Sequence, residues 1–175
     1  VLNGLRALGI RNTVMMTGDS YRTAEAIARQ VGVDQFFAEV LPEDKANFVQ
    51  KAKAEGHTVV MIGDGINDSP ALSAADVGIA INSGAAIARE IADVTIKADS
   101  LEELVTLKTI ANALQHRVSS NYRFVLSFNS TLIALGALGV LQPAASAMLH
   151  NLSTIGISLK SMTNLLPESE QSSAN

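Results

Sequence analysis

Short apolar runs alternate with helical stripes over the first hundred residues. Thr13 to Met16 reads as a buried strand that ends at Thr17-Gly18-Asp19. Ser20 to Val31 places apolar or small residues at Ala24, Ile27, Ala28 and Val31, a helical stripe that Gly32 stops. Gln35 to Val40 predicts a short strand. Pro42-Glu43 opens a helix that runs to about Glu55 and closes at Gly56. Thr58 to Ile62 is a second buried strand, followed by a Gly-Asp-Gly loop and a helix from Ser69-Pro70. Val77 to Ile81 and Val94 to Ile96 are further strands around an Ala-rich helix. Strands alternating with helices predict βαβ units and a parallel sheet covered on both faces. In such sheets, active sites lie at the carboxyl ends of the strands, which brings the loops at Asp19 and Asp64 to one edge.

Beyond residue 100 the period changes. Leu101 to Val118 is a long helical pattern, with Lys108, His116 and Arg117 towards its end. Phe124 to Leu141 carries no charge, and with its flanks reaches the ~20 residues a membrane helix needs. Gln142-Pro143 predicts a turn. Ala144 to Leu166 is a second candidate span, less apolar because of His150, Asn151, Ser153, Thr154 and Lys160. Basic residues before the first span and Lys160 near the end of the second place both hairpin ends on the cytoplasmic side. A buried helical hairpin of a soluble protein is the competing reading. The resulting division is residues 1–100 as an α/β domain, 101–121 as a stalk helix, 122–141 and 144–166 as membrane helices, and 167–175 as a polar, disordered tail.

Composition narrows the class. The 175 residues carry a net charge of −4, which gives no electrostatic support for nucleic-acid binding. There is no Cys, so disulfides, thiolate metal sites and Cys nucleophiles are excluded within this chain. The opening Val1-Leu2-Asn3-Gly4-Leu5-Arg6 lacks an initiator Met and is already helical in pattern; it reads as a cut through a longer protein.

Gly63-Asp64-Gly65-Ile66-Asn67-Asp68 is the densest chemical signal. Two carboxylates four apart on a Gly-rich turn make a hard oxygen site, suited to Mg²⁺ with water and substrate phosphate. Its glycines let backbone approach an anion, and Asn67 can donate to a phosphoryl oxygen. The plainer reading is a strand-to-helix turn whose Asp residues cap the helix. Thr17, Gly18 and Asp19 can hold a phosphoryl group against the following helix N-terminus, or Asp19 or Ser20 can simply cap that helix. Lys45, after Pro42-Glu43-Asp44, can neutralise phosphate as a point cation, or be a solvated surface lysine. In the second span, His150, Asn151, Ser153 and Thr154 are costly at membrane depth and so mark an ion site. Asn129 in the first span is read the same way. The alternative for them is hydrogen bonding between helices.

In this order, Thr17-Gly18-Asp19, Pro42-Glu43-Asp44-Lys45, Gly63 to Leu72 and Ala75-Asp76-Val77-Gly78-Ile79-Ala80 resemble the phosphorylation domain of P-type ATPases. The resemblance covers about the first two-thirds of the chain. It implies a partial, haloacid-dehalogenase-like Rossmannoid α/β sheet, followed by a long helix and a two-helix transmembrane hairpin. It also implies ATP as substrate and phosphorylation of an Asp in an Asp-Lys-Thr-Gly-Thr motif. Mg²⁺ would sit at Asp64 with Asp68 in support, while Thr17, Lys45 and Asn67 handle the phosphoryl group. That phosphorylated motif does not occur here, since Asp44-Lys45 continues Ala46-Asn47. The resemblance therefore implies that the remainder of the pump polypeptide lies upstream and that this stretch alone is inactive. Two final spans resemble the heavy-metal (type IB) branch, as does Asn121 followed by Asn129. The branch implies a multi-pass membrane protein, a cytoplasmic phosphorylation domain, contact with lipid and a transported metal cation. His150-Asn151-Leu152-Ser153-Thr154 matches neither the copper nor the zinc pattern of the last helix, so the metal stays open. Alternatives are a soluble haloacid-dehalogenase-type phosphatase, a P-type ATPase of another ion class, or a regulatory fragment without turnover.

Overall fold

A computed structural model describes residues 1–64, 67–81, 90–96 and 101–165. The chain divides into a unit of residues 1–105 and a unit of residues 106–175. The first contains α1 (Leu2–Ala7), β1 (Val14–Met16), α2 (Tyr21–Val31), β2 (Gln35–Phe37), α3 (Pro42–Ala54), β3 (Val60–Gly63), α4 (Ser69–Ala74), β4 (Val77–Ile81) and β5 (Val94–Ile96). Two further helices follow, α5 (Glu102–Ala137) and α6 (Pro143–Ser161).

Local chemistry accounts for the helix limits. Ala24 and Ala28 are the buried stripe of α2, and Gly32 ends it in the left-handed region, its N–H bonded to the Ala28 carbonyl at 2.8 Å. Pro42 begins α3, where its missing N–H costs nothing; Glu43 and Asp44 lie in the first turn and Lys51 and Lys53 in the last, each matching the helix dipole. Asp44 accepts from the Leu41 N–H at 3.4 Å, half of a capping box, because Leu41 has no side-chain oxygen to return the bond.

The expected parallel sheet is present, but in two pieces. β1 pairs with β2, and separately β3-β4-β5 form a three-stranded parallel sheet. No described strand joins β1 to β3, yet both serve one core. Val49, Met61, Ala71 and Leu72 are buried together, with Met16 at the end of β1 packed against them. β2 stops at Phe37, short of the predicted Val40. The chain there turns back instead: the Glu39 N–H donates to the Asp19 carbonyl and the Val40 N–H to the Thr17 carbonyl, each at 3.0 Å. Glu39 takes φ of 56°, the one left-handed residue other than glycine among those described. The Ala-rich helix predicted after β4 falls mostly on residues 82–89, outside the described residues.

Further along the chain, α5 runs unbroken through residue 121 to Ala137, so the stretch expected as a stalk helix and most of the first expected membrane helix are one continuous helix. Gly139, at φ of 72°, ends the run, and Pro143 starts α6 in its first turn. α6 ends at Ser161, earlier than the predicted 166. Arg117 of α5 donates to the carbonyls of Ser161, Thr163 and Asn164 there, supplying partners for a helix C-terminus. No helix among the described residues is long and apolar enough to cross a membrane. Length is not the obstacle for α5; the Ser, Thr, Asn and His residues spread through both helices dilute their apolarity. The predicted tail 167–175 lies outside the described residues.

Candidate functional site

The end of β3 and the start of α3 meet at one ion pair. Lys45 Nζ lies 2.7 Å from Asp68 Oδ1, and each side chain is only 14% exposed. Asp68 occupies the N-cap position of α4 without capping it through its side chain, so the plain capping reading does not hold for this residue. Its carboxylate goes to Lys45 instead. Gly63 makes that placement possible: a Cβ there would lie 2.6 Å from Asp68 Oδ2 and 2.8 Å from its Cβ. Gly78 likewise lets β4 pass α4, since a Cβ there would meet the Leu72 carbonyl at 2.8 Å. Asp64 follows β3 directly and is exposed, as is Asn67; Gly65 and Ile66 lie outside the described residues.

Thr17, Gly18 and Asp19 form a closed turn at the end of β1. The Thr17 hydroxyl donates to Asp19 Oδ2 at 2.9 Å and accepts from the Asp19 N–H at 3.1 Å. Ser20 holds the N-cap position of α2 but bonds to Thr23 Oγ1 at 3.1 Å rather than to backbone. Neither residue of the expected capping pair caps through its side chain. The Glu39-Val40 backbone ties this turn from the other side, as described above.

Hard oxygen donors fit Mg²⁺ here as far as they go: Asp64 is solvent-facing, and Asp68 is held at the same strand end with one oxygen neutralised by Lys45. Among the described residues, no three His, Cys, Asp or Glu side chains cluster as a complete metal cage.

Asp34, Asp76 and Asp93 instead bond within the fold, to partners too far along the chain for spacing to reveal. Asp34 takes the Thr13 hydroxyl at 2.6 Å, the Thr13 N–H at 2.8 Å and the Arg6 guanidinium at 2.9 Å. Those Thr13 bonds, then Arg6, hold its pKa below the ordinary 3.8. Asp76 accepts from the Val59 N–H at 2.8 Å and pairs with Lys53 at 3.1 Å, which likewise lowers its pKa. Asp93 accepts from the Gly78 N–H at 2.8 Å.

The second unit brings together part of the expected ion-site set. His150 Nδ1 of α6 lies 2.9 Å from Asn129 Oδ1 of α5. Ser153 and Thr154 donate their hydroxyls to the His150 carbonyl, at 2.7 and 3.1 Å. Asn121, about two helical turns before Asn129, donates to Ser161 Oγ at 3.0 Å. Asn151 is exposed on α6 and is not drawn into this set. Arg117 is the residue that sequence reasoning treated only as a basic flank; its carbonyl partners lie 44 to 47 positions away.

The first unit is thus a parallel α/β unit with a Gly-Asp turn, a Lys–Asp pair and a Thr-Gly-Asp turn at its strand ends. Residues 1–76 match the family model described as haloacid dehalogenase-like hydrolase. The chain is 41% identical over 158 residues to a manganese-exporting P-type ATPase of Mycobacterium leprae (strain TN), covering 90% of this chain and 22% of that protein. It is 42% identical over 149 residues to a copper-transporting ATPase of Arabidopsis thaliana, covering 85% of this chain and 15% of that one. A crystal structure of a zinc-transporting PIB-type ATPase in its E2.Pi state superposes with a TM-score of 0.82 at 34% identity, over 90% of this chain and 26% of that one. The chain thus contains a haloacid dehalogenase-like hydrolase domain, and its homologues are heavy-metal P-type ATPases, which are ATP-hydrolysing cation pumps. It spans about a fifth of the length of the first of these relatives. The matched stretch runs through the phosphorylation domain and beyond, so the soluble phosphatase reading is not favoured.

Proposed function

We propose that this chain does the work of the corresponding stretch of an ATP-driven heavy-metal cation pump: part of the phosphorylation domain, then two helices that line the ion path. The observation that carries the reading is the Lys45–Asp68 pair at the end of β3, beside Asp64.

Asp64 and Asp68 would hold Mg²⁺, which when bound supplies charge neutralisation on phosphoryl oxygens. Thr17, Gly18 and Asp19 hold the phosphoryl group at the N-terminal end of α2, and Asn67 donates to one of its oxygens. Lys45 adds a fixed positive charge, and its pairing with Asp68 keeps the ammonium in place without solvent rearrangement. Such catalysis consists of positioning and charge stabilisation, as phosphoryl transfer requires. The phosphorylated Asp and the ATP site belong to the remainder of the pump polypeptide. Among the described residues, β1 and β3 each have one ladder edge without a strand partner, next to a shared core, of the kind a strand from that remainder would extend.

Sidedness supports a membrane hairpin at α5 and α6 in spite of their modest average apolarity. The polar groups pair across the two helices, Asn129 with His150 and Asn121 with Ser161. Large apolar side chains are exposed as well: Phe124, Leu126, Ile133, Met148, Ile155 and Leu159. Lipid and neighbouring membrane helices would cover such a surface. The phosphorylation domain would then face the cytoplasm. The cargo is a metal cation, and the relatives' named metals differ (manganese and copper), so likeness alone does not select one.

The test is phosphoenzyme formation from ATP by a polypeptide of the relatives' length that carries this stretch. Asp64→Ala removes a Mg²⁺ ligand and should abolish the phosphoenzyme. Normal levels in that variant would defeat the assignment.

A further inference from the structure

We propose that Asn129 is a positioning residue that fixes the tautomer of His150, so that the imidazole offers Nε2 to a borderline divalent cation. The proposal rests on the cargo reading of the hairpin given above. Its physical basis is the 2.9 Å contact between His150 Nδ1 and Asn129 Oδ1. A carboxamide oxygen only accepts, so Nδ1 must carry the proton. In a neutral imidazole the lone pair then resides on Nε2, and the hydrogen bond at the first nitrogen sets which atom can bind a metal.

Two further observations make the tautomer decisive. Between Phe124 and Leu165 the ionisable side chains are His150 and Lys160 alone, and a lysine ammonium binds no cation. The imidazole is therefore the one nitrogen ligand this part of the hairpin can offer. Ser153 and Thr154 both direct their hydroxyl protons to the His150 carbonyl. Their oxygens are left with lone pairs on the same turn of α6, as hard donors beside a borderline one. A mixed nitrogen and oxygen set favours zinc-like or manganese-like ions over a purely sulfur-seeking one. Asn129 acts through His150 in this arrangement, because its oxygen is occupied by the imidazole N–H.

Histidine-selective ¹⁵N and ¹³C NMR on the whole chain in detergent micelles reads this directly. The chain has three histidines, and His150→Gln assigns the signal. We expect the Nδ1–H form in the unaltered protein, and a shift of the Nε2 resonance when Zn²⁺ alone is added. Asn129→Leu should convert His150 to the Nε2–H form and weaken Zn²⁺ binding about tenfold to a hundredfold. Asn129→Asp keeps an acceptor and should restore the Nδ1–H form, a rescue that lost packing would not produce. An Nε2–H form in the unaltered chain overturns the proposal, even where Zn²⁺ still perturbs His150 and the cargo reading stands. An unchanged tautomer and Zn²⁺ affinity in Asn129→Leu overturns it as well. If the tautomer is as expected but neither Zn²⁺ nor Mn²⁺ perturbs His150, the cargo reading itself fails and the ligand role falls with it. Should Asn129→Leu not fold, the unaltered chain and Asn129→Asp decide the matter.

Discussion

Removing Lys45 should do more than subtract one surface charge. Lys45 and Asp68 are each 14% exposed, so a Lys45→Met variant strands a carboxylate that water reaches poorly. Hydrogen bonds to charged groups contribute about 1.5–3 kcal/mol, and breaking a fully buried pair costs about 3–5 kcal/mol. The residual exposure places this pair at the lower end, about 2 kcal/mol, or roughly a 30-fold change in an opening equilibrium. The Leu72 amide is a suitable reporter: it donates to the Asp68 carbonyl at 2.8 Å, and Leu72 is buried. Hydrogen exchange there should accelerate about 30-fold in Lys45→Met, by a similar factor in Asp68→Asn, and by less than the product in the double variant. A coupling of less than ~0.5 kcal/mol would put the pair among solvated surface bridges and refute the reasoning.

Gly63→Ala should destabilise the first unit by about 1–3 kcal/mol, because its Cβ would collide with Asp68 near the backbone, where little can give; urea denaturation measures it. Asp34 has a lowered pKa in the folded chain, so its stabilisation is present above its ordinary value of 3.8 and is lost as pH falls through the lower folded value. Asp34→Asn should therefore flatten the acid side of a stability-against-pH curve, leaving the neutral side parallel to that of the unaltered chain. An unchanged acid slope would show that the Thr13 and Arg6 bonds exert no net pull on the carboxylate.

Much of this was legible because it depends on near neighbours. The Gly32 stop, the Pro42 start and the apolar runs at Val60 and Val77 are local signals, and each element appears close to where those signals place it. The Gly63-Asp64 turn was visible because it follows directly on the apolar run of β3. What stayed hidden required partners from afar. No spacing rule connects Lys45 to Asp68, 23 positions on, or Arg117 to a helix end more than 40 positions away. The early end of β2 followed from backbone bonds between Glu39 and Asp19, which side-chain propensity does not encode. The division at residue 121 rests on a change in charge density, which does not interrupt a helix; with no Gly or Pro there, α5 runs straight through it.

The split sheet has a practical consequence. β1 and β3 each end a parallel ladder among the described residues, so a row of backbone N–H and C=O groups is left without a strand partner on one side. Such edges recruit whatever extended chain is at hand, including another copy. Prepared by itself at high concentration, this chain should self-associate through those edges. A strand-forming peptide supplied in trans is then a more rational solubilising additive than salt or a change of pH.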